Sequence, residues 1–156
     1  MDKGEFEKNL EEFAAKFKRQ INCLLESDRM IRRRALNELN KDLFNEATND
    51  EVLASFYRNM LVKPLTTCLE DKIEKHREIS IEIFEKMIER VGLQDEAEFI
   101  LRAIIARLNN IPYPEQSEEL RIMFIDLLSV CLDANSMQFL TLLGDVCSML
   151  SKIIQD

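Results

Sequence analysis

The strongest constraint on this chain is a phrase that occurs three times. It reads Ile31-Arg32-Arg33-Arg34-Ala35-Leu36-Asn37-Glu38-Leu39, then His76-Arg77-Glu78-Ile79-Ser80-Ile81-Glu82-Ile83-Phe84, then Leu120-Arg121-Ile122-Met123-Phe124-Ile125-Asp126-Leu127-Leu128. The marker arginines Arg32, Arg77 and Arg121 are spaced 45 and 44 residues apart. An apolar helix precedes each phrase, and an Arg-led amphipathic helix begins in it. A period in the mid-forties with two helices per period is the signature of an α-solenoid of the HEAT/armadillo type. The expected fold is all-α, with antiparallel helix pairs, about seven helices and three and a half repeats.

Composition agrees with long helices. The 156 residues include only three Gly and three Pro, with 46% apolar and 32% charged side chains. Few breakers and many Leu, Ile, Glu and Lys favour helix, and this balance is globular rather than disordered. The net charge of −8 argues against nucleic acid or an anionic membrane as the main partner, since both reward a basic face. No apolar run approaches the roughly 20 residues of a membrane span. The start, Met1-Asp2-Lys3-Gly4-Glu5, resembles neither a signal nor a transit peptide. Cys23, Cys68, Cys131 and Cys147 form no C-x-x-C pair. Cys23 and Cys68 each lie nine residues before a marker arginine, so they read as equivalent core positions, suited to a reducing cytoplasm.

The repeats divide the chain as about 3–46, 49–91, 95–132 and a half repeat at 136–154. The first helix, 3–26, carries Phe6, Leu10, Phe13, Phe17, Ile21 and Leu24 at steps of three and four, one apolar stripe. Asp28 is placed to cap the second helix, 29–46, whose inward residues read as Ile31, Ala35, Leu36, Leu39 and Leu43. Thr48-Asn49-Asp50-Glu51 reads as a capping box with Thr48 as cap. The third helix, 49–69, contains Pro64, which removes a backbone donor and bends it, an architectural feature of curved stacks. Asp71 makes the next turn. In the fourth helix, 73–91, Ile79, Ile83, Met87 and Val91 share a face and Gly92 terminates it. Asp95 with Glu98 repeats the cap logic before the fifth helix, 96–109, with Phe99, Ile100, Ala103, Ile104 and Leu108 inward. Acids at 118 and 119 open the sixth helix. Asn135 reads as the cap of the seventh, 136–154, whose stripe is Phe139, Leu142, Leu143, Val146, Leu150 and Ile153. That unpaired stripe leaves two readings, a natural cap or a chain cut from a longer solenoid, with the fragment favoured.

Candidate chemistry is sparse. His76 is the single histidine and is expected half-buried at a helix start; no second ligand accompanies it in a metal pattern. There is no phosphate-binding glycine loop, no nucleophile elbow and no EF-hand loop. The carboxylates sit in caps and on exposed faces, and no Trp is present for a stacking platform. The reading is therefore not an enzyme, with no cofactor and no metal. The candidate partner-binding residues are Arg33, Arg34 and Tyr113. Arg33 and Arg34 lack a local partner and read either as a solvated face or as a basic contact for an acidic partner. Tyr113 lies between Pro112 and Pro114 in the one longer inter-helix loop, and reads either as an exposed anchor or as packing on the edge. Arg32, Arg77, Arg121, Asp28, Asp71 and Pro64 read as structural repeat markers.

The phrase resembles HEAT repeats over nearly the whole chain: an apolar helix with an internal Pro, an Asp in the turn, and an Arg early in the second helix. Lys63-Pro64-Leu65, the run from Asp71 to Ile81, and Pro114-Glu115-Gln116-Ser117-Glu118-Glu119-Leu120-Arg121 carry a narrower similarity. These segments resemble the family of dynein axonemal assembly factor 5, from which the chain departs by Gln116 inserted in the last segment and by its short length. The resemblance implies a cytoplasmic factor for preassembly of axonemal dynein arms in cilium biogenesis. It also implies dynein chains, chaperones and other assembly factors as protein partners, with neither nucleic acid nor membrane. The alternative is a tubulin-binding HEAT module of the TOG type, which uses rows of Trp, Lys and Arg on its turns; the turns here lack Trp and an even basic row. A generic HEAT adaptor is a further alternative, and a helical-bundle enzyme ranks last.

Overall fold

The apolar stripes close on one another as two stacked layers of helices. The computed structural model describes residues 2–109, 115–134 and 136–155, and side chains over 2–109, 115–133 and 142–153. Its elements are α1 (Lys3–Cys23), α2 (Arg29–Asp42), α3 (Asp50–Phe56), a π-helical turn (Tyr57–Leu61), α4 (Val62–Leu69), α5 (Glu74–Val91), α6 (Ala97–Leu108), α7 (Glu118–Ala134) and α8 (Ser136–Gln155). Helices α1, α3–α4, α6 and α8 neighbour one another in one layer, and α2, α5 and α7 in the other. Each helix of the second layer also packs on its chain neighbour in the first. The chain is an all-α helical-repeat solenoid, with strands absent among the described residues.

The core runs through all pairs. Phe13, Phe17 and Phe56 form an aromatic cluster with ring centroids 4.9 to 5.8 Å apart, joining α1 to α3. Tyr57 meets Phe84 edge-on at 6.3 Å, joining the π turn to α5. Leu36, Leu65, Ile83, Ile104 and Phe124 are fully enclosed along the axis of the stack. Each such side chain contributes roughly 1.5–3 kcal/mol when removed from water. Isolated helices of this length are marginal, so the stacking of pairs holds the fold.

Several local expectations are corrected. The first helix stops at Cys23 rather than Glu26, because its last turn tightens: the Leu25 and Glu26 amides donate three residues back, to Asn22 and Cys23. The second stops at Asp42 rather than Glu46. Asn45 ends the run beyond it, its side chain accepting from the Ala47 amide and its carbonyl from the Thr48 amide. The cap of α3 is Asn49, not Thr48; Asn49 Oδ1 accepts from Glu51 N at 2.8 Å and Val52 N at 3.3 Å. No side chain caps α6, so Asp95 does not act as its cap. Asp28 does cap α2, accepting from the Met30 and Ile31 amides.

The helix containing Pro64 is two α segments joined by a π turn, in which the Val62 amide donates to the Tyr57 carbonyl. The π turn restarts the register at Val62, so Pro64 falls in the first turn of α4, where a missing N–H costs least. Three residues expected inward are substantially exposed: Ile31 at 42%, Phe99 at 46% and Leu143 at 41%. His76 is buried rather than half-buried. Asn135 as a cap and Tyr113 as an anchor lie outside the described residues.

A charged ladder and a candidate interaction surface

Two of the marker arginines do the same thing one repeat apart. Arg32 Nη1 donates to the Glu26 carbonyl, six residues back, at 2.8 Å, and its Nε donates to Asp71 Oδ2, in the next repeat, at 2.7 Å. Arg77 Nη1 donates to the Asp71 carbonyl, again six residues back, at 2.8 Å. Its Nε and Nη2 grip both Glu115 oxygens at 2.7 Å. The planar guanidinium suits this double duty, since its fork holds a carboxylate while a third donor reaches a carbonyl. Arg107 adds bonds of 3.1 and 3.2 Å to Glu115, and the Ser117 amide donates to it at 3.3 Å. Among the described residues Arg121 has no carboxylate partner.

Electrostatics follow the geometry. Burial alone would raise the Asp71 carboxyl. The Arg32 guanidinium, the Ile73 amide and His76, whose Nδ1 lies 3.0 Å away, outweigh it and hold the group below its usual range. Glu115 is likewise raised by burial but held low overall, first by Arg77, then by the Ser117 amide and Arg107. Burial pushes the Cys68 thiol up to about 11 and the Cys131 thiol up to about 12, so neither has thiolate character. Among the described residues no cluster of three or more His, Cys, Asp or Glu side chains is placed to hold a metal ion.

Further cations are absorbed into architecture. Arg58 bonds the buried Glu96 at 3.1 Å and the Val91 carbonyl, tying the π turn to the entry of α6. Arg90 clamps the loop before α3 through Asp50, the Asn45 carbonyl and the Thr48 carbonyl. Asn40 donates to Glu82 and accepts from Lys86, bridging α2 to α5.

What remains for a partner is the outer surface. Arg33 is exposed on α2 and forms no ion pair among the described residues. Arg34 is exposed too, but its Nε donates to Glu38 one turn on at 2.8 Å. Exposed Met30 and Ile31 lie just before these arginines in the chain. Reading the sequence missed Glu115 and Arg107 as members of the ladder. The signal was present: Glu26, Asp71 and Glu115 repeat at intervals of 45 and 44, each six residues ahead of a marker arginine. Asp28, by contrast, sits two positions off that register and serves only as a cap.

The chain matches, over residues 23–156, the family described as dynein axonemal assembly factor 5-like, TPR repeats. It belongs to the dynein axonemal assembly factor 5-like family. It is 32% identical over 139 residues to the dynein axonemal assembly factor 5 of Xenopus laevis, covering 88% of this chain and 16% of that protein. No solved structure matches. The family description speaks of TPR repeats, which recur at about 34 residues; the marker spacing here falls in the longer range of HEAT and armadillo units. Among the described residues no helix is long and apolar enough to cross a membrane.

Proposed function

We propose that this chain is a non-catalytic protein–protein interaction scaffold that serves the preassembly of axonemal dynein arms in the cytoplasm. The observation that carries the reading is the 32% identity, across 88% of the chain, to a protein named as a dynein axonemal assembly factor. The chain spans 16% of that relative's length. The geometry supports a scaffold, because Arg32 and the buried Arg77 are engaged in holding repeat to repeat while Arg33 and Arg34 stay exposed. Proposed partners are axonemal dynein chains, chaperones and other assembly factors, with Arg33, Arg34 and Tyr113 as contact residues. The proposed repeat units are 3–46, 49–91, 95–132 and 136–154.

The test is affinity capture from the cytosol of ciliated cells, with the chain as bait. The expected result is enrichment of axonemal dynein chains together with chaperones. Recovery of neither would sink the reading.

A further inference from the structure

On the side of α1 turned away from α2, α1 and the π turn border an apolar groove of about 560 Å³. Leu10, Ala14, Ala15 and Ile21 of α1 line it, and Met60 of the π turn faces them across it. Arg19, Gln20 and Cys23, which line the cleft toward α2, belong to the opposite face of the helix. Met60 is 45% exposed and Ala15 is exposed, so nothing among the described residues covers this strip.

Two charges interrupt the apolar lining, and their placement identifies the occupant. Glu11 and Lys18 sit in the lining at equal distances on either side of the Ala14–Ala15 peptide. Both are exposed, and neither forms an ion pair among the described residues. They are two turns apart, beyond the reach of an i, i+4 pair on one helix. The rest of α1 is divided in the same sense. Residues 3–14 carry four acids and two lysines, one of which, Lys8, is already paired with Glu12. Residues 15–23 carry three bases and no acid. An antiparallel copy of the same helix reverses that order and matches it, acid half over basic half. A parallel copy sets like charges together.

We propose that this groove is the interface between two copies of the chain, with α1 of one laid antiparallel on α1 of the other about a two-fold axis at Ala14–Ala15. Glu11 of each copy meets the partner's Lys18, so two reciprocal ion pairs flank the axis. The alanines let the helices approach closely, and Leu10, Ile21 and Met60 of each copy are covered by the other. The ion pairs stay at the rim and set the antiparallel orientation, while the covered apolar surface supplies the affinity. This interface leaves the marker arginines untouched and is independent of the dynein reading.

The experiment is sedimentation equilibrium of the whole chain over a concentration series from micromolar to millimolar. The expected result is a monomer–dimer equilibrium that stops at the dimer, because a two-fold contact closes on itself. Glu11→Lys alone and Lys18→Glu alone are each expected to weaken dimerisation at least about tenfold, since each sets like charges across the axis. Mixing the two variants, or combining both changes in one chain, re-forms opposite pairs and is expected to restore the dimer. Met60→Glu is expected to weaken it through the apolar wall. Lys72→Glu, exposed in the turn before α5, is expected to leave it unchanged; circular dichroism checks each fold. A monomer at every concentration overturns the proposal and leaves the groove to the helix of a different protein. Dimers that neither single charge reversal weakens, or that the paired reversal fails to restore, overturn it as well.

Discussion

A guanidinium that reaches both its own turn and the next repeat does more than neutralise a charge. Arg77 and Glu115 are enclosed, and each is satisfied by the other and by added donors or acceptors. Removing one member leaves the other charged and desolvated, so Glu115→Ala is expected to destabilise the fold by about 3–5 kcal/mol, read as a lower urea midpoint. The same carboxylates set an acid limit. Asp71 and Glu115 are held lower in the folded chain than in the unfolded one. Their contribution is complete above the ordinary carboxylate range of about 4 and is lost as pH falls through their folded values. The urea midpoint should therefore be flat from about pH 7 to pH 5 and drop below about pH 4; Asp71→Asn should lower the midpoint at pH 7 and flatten the drop.

At the scale of the element, one residue of register decides which side chain caps a helix. Asn49 rather than Thr48 carries the extended backbone and accepts from two amides at the start of α3. Asn49→Ala is expected to cost about 1 kcal/mol, while Thr48→Val changes stability by less than about 0.5 kcal/mol; thermal unfolding of the pair separates the two assignments. The π turn at Tyr57–Leu61 is the other local event that a periodicity argument passes over. It inserts one residue into the helical count, turns Met60 out to solvent and leaves Leu61 in the core. An apolar stripe with a proline inside it looks continuous in sequence, because a π turn changes hydrogen bonds without changing composition.

Across the whole molecule, stability is a sum of pairs and of the interfaces between them. Arg32 joins the α1–α2 pair to the turn before α5. Arg32→Ala should loosen that end first, with amide exchange accelerating in α2 well before α7; uniform acceleration along the chain would count against a stack of separable units. How much of this was legible follows from what each signal depends on. The period of 45 and 44, the helical class and the near-absence of breakers are local or repetitive properties, and the sequence alone determined them. It also held the Glu26, Asp71 and Glu115 positions in register, although an acid among 29 Asp and Glu gives no sign of its own that it is buried. Tertiary structure decided which arginine meets which carboxylate 38 or 39 residues away. It also decided that Ile31, at the position buried as His76 in the next repeat, stands exposed. The physical reason is that periodicity marks the face of a helix that can be buried, while burial itself depends on what packs against that face.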